Sequence, residues 1–305
     1  MRRFLVLASL SLFFVGSAFG QQGQPAKPAE KPKAQESEKT TITQRESKIA
    51  KAGYDVLTEL WSFEDATPVS TGQVDLRLTL RWFPEPAVDD DDDSIVQPSI
   101  VWGVAENWEL SAAVPAWLCD NGNRGPYEDG NYDTFLGALW RFAEQEGYWP
   151  AMALGAKVRI PTGEGSDGID GVLRLNLTNE YDSGIRSHVN GLLKTVNTNN
   201  DNNLTDDDDF NWWTYGSGGA RDFQWGVVLG LDGPLSDDAR WVVDVIHRSS
   251  ETNGQHNITQ ADAGLEYQLA DNQRLGWAFN ASLDHANNDA PYYGVSLTYA
   301  YSLAR

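Results

Sequence analysis

The amino-acid sequence predicts an all-β fold: an antiparallel up-and-down transmembrane β-barrel of about twelve strands, preceded by a disordered linker and a short helix. Three observations carry that expectation. Apolar and polar residues alternate with a period of two through one segment after another. The connections between those segments alternate between long and short. Charge is confined almost wholly to one parity of each segment, while aromatic residues collect near segment ends.

The clearest unit runs from Pro150 to Glu180. Met152, Leu154, Ala156, Val158 and Ile160 share one parity, and Ala153, Gly155, Lys157 and Arg159 the other. After the turn-forming stretch PTGEGSDG, Leu173, Leu175 and Leu177 alternate with Arg174, Asn176 and Thr178. Successive side chains of a strand point to opposite faces, so each segment gains one apolar and one polar face. The unit reads as an antiparallel hairpin.

Composition bounds the alternatives. The chain has 305 residues and a formal net charge of −21, which tells against a nucleic-acid partner. Beyond the N-terminus there is no apolar run long enough for a membrane helix, a test to which a membrane barrel is blind. The single cysteine, Cys119, has no intrachain partner and falls in a predicted loop.

In chain order, residues 1–20 have the form of an export signal: Arg2 and Arg3, an apolar core over Phe4–Val15, and small residues around Ala18-Phe19-Gly20. Residues 21–45 are rich in Pro, Lys, Glu and Gln and read as a disordered linker. Within 46–72, Ile49, Leu57, Leu60 and Trp61 give a loose helical face over 46–62, expected to pack on the domain's end or to enter a pore as a plug. Residues 73–305 carry the strands. These begin at Val74–Trp82, Ile95–Val104, Trp108–Ala116 and about 133–142. The Pro150–Glu180 hairpin supplies the next two. The rest lie near 186–194, 221–231, 239–248, 260–269, Leu275–Leu283 and 292–303.

A soluble sandwich also alternates, but it has no reason to keep long loops at one end and short turns at the other. Nor does it need one parity free of charge. In a barrel, Arg or Lys facing lipid at mid-bilayer costs roughly 2–4 kcal/mol. Trp82, Phe83 and Trp117 lie beside long loops, and Trp102, Trp108, Trp140, Tyr267, Tyr299 and Tyr301 beside short turns or the C-terminus. Amphipathic rings suit the two headgroup levels. The expected location is the outer membrane, with both termini periplasmic, the long acidic loops outside, and membrane lipid and the barrel assembly machinery as partners.

The polar parity names the candidate site. Arg77 and Arg81 lie on the first strand; Arg141, Lys157, Arg159 and Arg174 on the fourth to sixth; Asp244, Asp262 and Glu266 on the ninth and tenth, roughly across the ring. Opposed rows of charge would set a transverse field and select solutes; the same charges paired with one another would instead stiffen or close a narrow barrel. Asp89, Asp90, Asp91, Asp92 and Asp93, with Asp206, Asp207, Asp208 and Asp209, offer oxygen ligands for weak calcium binding but lack the spacing of an EF-hand. No cofactor is expected. Of the histidines, His188 falls on the lumen parity and His247 on the apolar parity; without a GxSxG elbow or a Ser–His register they do not point to catalysis.

The stretch LGAKVRIPTGEGSDG followed by HVNGLL, the hairpin WGVAENWELSAAVPAW, the strand Asp262–Leu269 and the terminal YYGVSLTYAY resemble the outer-membrane family named for the meta-pathway of phenol degradation, over residues 73–301. The resemblance implies a barrel associated with uptake of aromatic or other hydrophobic solutes. It brings no defined site residues. The sequence thus points to a non-enzymatic outer-membrane barrel for passive passage of small solutes. A closed structural or adhesive barrel is the alternative, and a barrel lipid hydrolase a more distant one.

Overall fold

The computed structural model describes residues 56–57, 60–84, 92–119, 133–162, 169–195, 223–249, 257–283 and 293–303, with backbone alone at 83–84, 92–93 and 116–119. The signal and linker lie outside these residues, as do Asp89–Asp91 and Asp206–Asp209. Asp92 and Asp93 open a strand, and their side chains are not described.

The strands are β1 (Val74–Pro84), β2 (Asp92–Ala105), β3 (Trp108–Ala113), β4 (Ala116–Cys119), β5 (Thr134–Ala143), β6 (Ala151–Ile160), β7 (Asp170–Glu180), β8 (Arg186–Thr195), β9 (Phe223–Pro234), β10 (Ala239–Arg248), β11 (Ile258–Ala270), β12 (Gln273–Ser282) and β13 (Tyr293–Leu303). All pairings are antiparallel, and they join sequence neighbours except that β4 pairs with β2, β5 with β3 and β1 with β13. β1 pairs with β2 on one side and β13 on the other, from Val74↔Leu303 to Trp82↔Val295, so the sheet closes. Both β3 and β4 pair with β2 and occupy one place in the ring, making a closed barrel of twelve positions.

The expected third strand, Trp108–Ala116, is therefore split at Val114-Pro115. Pro115 has no N–H to give the ladder, and the Val114 amide bonds instead to the Pro98 carbonyl at 3.1 Å. Pairing resumes at Ala116 and carries Cys119 into β4 opposite Ser94, so this cysteine ends a strand rather than lying in a loop.

The loop rhythm is kept. Short connections, Glu106-Asn107 among them, gather at one end of the barrel, and the spans 85–91, 120–133, 161–169, 196–222, 249–257 and 283–292 leave from the other. Asn107 takes the left-handed conformation (φ 64°) that so tight a turn demands. Outward positions form an apolar belt: Leu78, Leu175, Val227 and Leu229 are all exposed, Leu229 by 58%. Such a continuous belt is suited to lipid and not to water. Trp102, Trp108, Trp140, Phe142 and Tyr267 ring the short-turn end, with Trp108 stacked on Trp140 at 5.6 Å. Trp82, Phe223, Trp225 and Tyr293 lie toward the other end.

The inside is polar. Arg77, Thr79, Asn176, Asn190, Asp244 and Thr298 are among its buried residues. The polar parity turns inward and the apolar parity outward, as the alternation predicts. Leu229→Arg would put a charge on the lipid face near mid-strand. We expect it to cost roughly 2–4 kcal/mol in a bilayer folding titration, whereas Leu229→Ile leaves the midpoint nearly unchanged.

Candidate functional site

The lumen is occupied by the chain's own segment before β1. Val56, Leu57, Leu60, Trp61, Phe63, Glu64, Asp65, Ala66 and Val69 are all buried there. Among the described residues there is no helix. Leu60–Gly72 runs through bends, a turn and extended stretches, so the described residues of the helix expected over 46–62, namely 56–57 and 60–62, are not helical, and the rest of that stretch lies outside the description. The physical reason is competition for amide hydrogens. The wall offers side-chain acceptors, and the segment's N–H groups take those rather than an intrahelical ladder.

Following the segment shows how it is held. The Leu57 amide and the Trp61 indole N–H both donate to Glu266 Oε1, at 2.9 and 2.8 Å. The Ser62 amide donates to Asp244 Oδ2 at 2.9 Å, and its hydroxyl to Asp262 Oδ2 at 2.8 Å. On the other side, Arg174 donates to the Ser62 carbonyl at 3.1 Å. Asn190 accepts from the Glu64 amide at 2.6 Å and donates to the Glu64 carbonyl at 3.0 Å. The Ala66 amide meets Thr178 Oγ1 at 3.0 Å, and that of Val69 meets Glu109 Oε2 at 2.9 Å.

The two carboxylates of the segment face the basic wall. Glu64 pairs with Lys157 at 2.9 Å, accepts from Asn176 at 3.1 Å and lies 3.9 Å from Arg174. Burial by itself would raise its carboxyl, but Lys157 and Arg174 outweigh burial and hold it down at about 2. Asp65 is likewise held below its ordinary range, with Arg186 and His188 outweighing burial. Arg186 pairs with Asp65 and, at 3.1 Å, with Asp232, which also takes Arg240 at 2.9 Å and His188 at 2.6 Å.

The sequence-predicted charges therefore fall as follows. Lys157 and Arg174 form one row, with Asp244, Asp262 and Glu266 on the far wall, and the segment between them presents donors to the acids and acceptors to the bases. Arg159 is buried higher up, between Asp133 and Asp170, bonding Asp170 at 2.8 Å through Nε. Arg77 reaches Asp75 at 3.4 Å, as does Arg274 at 3.0 Å. Arg81 is buried near the long-loop end of β1. Arg141 has the inward parity but does not join the row. It sits at the short-turn rim, bonded to Asn107 Oδ1 at 2.8 Å and to Glu144 at 3.0 Å. His188 turns inward as expected, and its Nδ1 meets Thr178 Oγ1 at 3.0 Å. His247 turns outward beside Trp225 and Thr259.

Sequence reasoning missed the glycines that seat the segment. Inward-facing Gly230 lies under Phe63: a Cβ there would come within 2.6 Å of the ring. At Gly276 it would come within 2.3 Å of Leu60. Gly155 stands likewise against Glu64 and Gly103 against the Ser70 carbonyl. A Gly on the polar parity, where charges and amides otherwise stand, was the available signal.

One strip of wall stays wetter than the rest. Inward residues of β1 and of β7–β13 are nearly all buried. Ser99, Ala113 and Phe135, and beside them Ser111, Gly137 and Lys157, are only half-buried and are register neighbours across β2, β3, β5 and β6. The strip ends at the Lys157–Glu64 pair.

Two outcomes follow from this seating. Gly230→Leu is expected to displace Phe63 and raise chymotrypsin cleavage at Trp61–Phe63 several-fold, while the barrel keeps its heat-modifiable mobility on gels. The depressed Glu64 carboxyl stabilises the seat fully above about pH 4.5 and loses that contribution as pH falls toward 2. The same cleavage, assayed by an acid-active protease, is expected to rise across that interval and to lose this pH dependence in Glu64→Gln.

No family model and no curated protein matches the sequence. Solved structures do. An outer membrane channel from Pseudomonas putida F1 is similar with a TM-score of 0.58 at 12% identity, over 77% of this chain and 97% of that one. The NanC porin is similar with a TM-score of 0.51 at 9% identity, over 75% of this chain and all (100%) of that one. The chain shares the closed barrel fold of outer-membrane channels.

Proposed function

We propose that the chain is an outer-membrane channel for passive, non-enzymatic passage of small solutes, closed at rest by its own segment 56–73. The carrying observation is the way the lumen is filled. Lys157 and Arg174 stand on one side of the lumen and Asp244, Asp262 and Glu266 on another. They are bridged by a polar peptide through separate side-chain and backbone bonds, each replaceable by water or by solute. The fold shared with outer-membrane channels supports the same reading. So does the export-like N-terminus, and the loop asymmetry supports a periplasmic location for both termini.

In this reading Lys157, Arg159 and Arg174 on one wall and Asp244, Asp262 and Glu266 on the other are selectivity elements, with Arg77 and Arg81 completing the lining. They do no covalent chemistry. The deep burial of most inward positions favours one competitor, a sealed structural barrel.

Single-channel recording in planar bilayers separates the two. Wild-type protein is expected to show rare, small steps. Glu64→Lys, which sets a cation against Lys157 and Arg174, is expected to raise conductance or open probability several-fold, as is removal of residues 21–72. Insertion without conductance in all three would establish the sealed barrel. In the Glu64→Lys background, Lys157→Glu with Arg159→Glu is expected to shift the reversal potential in a salt gradient toward cations; an unchanged potential would remove these residues from selectivity.

A further inference from the structure

We propose that the inner wall spanning β6 to β9 is a binding site for small aryl-alkanoate anions, and that Phe63 and Glu64 occupy it in the closed state as stand-ins for the solute. The proposal rests on the channel reading above and names the solute class for that lumen.

The wall presents two adjoining features that belong to the barrel and not to the segment. The first is a carboxylate seat. Lys157 on β6 and Arg174 and Asn176 on β7 all turn inward and converge on the two oxygens of Glu64. Lys157 takes Oε1 at 2.9 Å; Asn176 takes Oε2 at 3.1 Å, with Arg174 3.9 Å from the same oxygen. Two cations and an amide donor around one carboxylate are more than charge balance needs, and they fix its orientation. The second is a ring slot on β8 and β9. Phe63 stacks on His188 with centroids 4.2 Å apart and planes 21° from parallel, and it lies close against Gly230. Only a residue without a side chain leaves room there for a ring.

The two features lie on four consecutive strands, so the spacing of acid and ring is set by the sheet. A third, independent observation gives access. The half-buried strip over β2, β3, β5 and β6 ends at Lys157, which keeps 28% of its side-chain surface exposed even with the segment in place. A solute entering from the long-loop end would meet the carboxylate seat first.

Each half of the ligand is required. A neutral aromatic in the slot would not replace the carboxylate that Glu64 offers to buried Arg174 and half-buried Lys157 in the closed state, a costly loss. An aliphatic carboxylate would leave the slot between His188 and Gly230 unfilled. The side chains of Asp244, Asp262 and Glu266 accept hydrogen bonds from the segment and add no cation to the seat, so an anion is held on the side of Lys157 and Arg174. Binding involves no bond making or breaking.

The test uses the full-length chain. Phe63→Ala with Glu64→Ala vacates the site, and titration calorimetry follows 3-phenylpropionate, 3-phenylpropan-1-ol and butyrate. The vacated protein is expected to bind 3-phenylpropionate at least about tenfold more tightly than either of the others. Lys157→Gln added to it should erase the preference over the alcohol while leaving the alcohol's own binding unchanged. A second measurement keeps the segment. With Cys119→Ser, a reporter Ser62→Cys is expected to react with a maleimide several-fold faster in 3-phenylpropionate than in butyrate, because the solute competes for the seat. Equal binding of the three compounds by a vacated protein that conducts, or equal labelling rates, would overturn the site and leave the channel standing. Selective binding by a protein that never conducts would keep the site and overturn the channel.

Discussion

A sheet that faces hydrocarbon cannot leave an edge, because an unpaired backbone amide there has neither water nor a partner. Everything else in this protein depends on that constraint. It forces β1 against β13, and closure turns the charged parity inward. A ring of twelve positions encloses too little water to solvate the residues so gathered, among them Arg174, Asp244 and Glu266, all nearly inaccessible. They need partners. Some pair along the wall, as Arg159 does with Asp170. Those at mid-lumen are served by the peptide that precedes β1, whose amides go to the acids and whose carboxylates go to the bases. The plug is thus a consequence of the barrel's polarity as much as a device added to it.

The sequence made the barrel legible because strand parity is a local property. Leu154 and Lys157 declare their faces with no knowledge of what lies across the ring, and both stand where the alternation puts them. Height along the axis is less local. Arg141 has the right parity, but its distance from the rim depends on the Asn107 turn of the neighbouring hairpin, so it left the expected row. The break at Pro115 was written in the sequence, yet reading it as an interruption required knowing that β2 continues unbroken past it. The segment was the hardest element. Leu57, Leu60 and Trp61 do sit on helical spacing, but their conformation is decided by Glu266 and Asp244, about two hundred residues away. Likewise Gly230 and Gly276 show in the sequence only as gaps on the polar parity, whose meaning depends on Phe63 and Leu60 lying against them.

Arginine and lysine serve different ends inside this lumen. Arg186 and Arg159 each join two carboxylates at once, a use suited to the planar fork of the guanidinium. Lys157, a compact cation on a flexible stem, takes the partly wetted position beside Glu64. The rigid contacts therefore lie toward the two ends of the barrel, and the most adaptable cation is found where the plug meets the accessible strip.

The chain leaves the plug and enters β1 through a fixed corner, where the Gly72 amide bonds to the Gly103 carbonyl at 2.7 Å and the Gly103 amide bonds back to Gln73 at 3.0 Å. On the channel reading proposed above, the short tether anchored at the wall would make closure an intramolecular event with a high effective concentration, of order millimolar for short flexible links. A free competitor at micromolar levels would scarcely shift that equilibrium unless it bound far more tightly than the peptide does. Such a pore would rest shut whatever the protein's abundance in the membrane, with its threshold set by the anchor's geometry together with the affinity of the proposed seat.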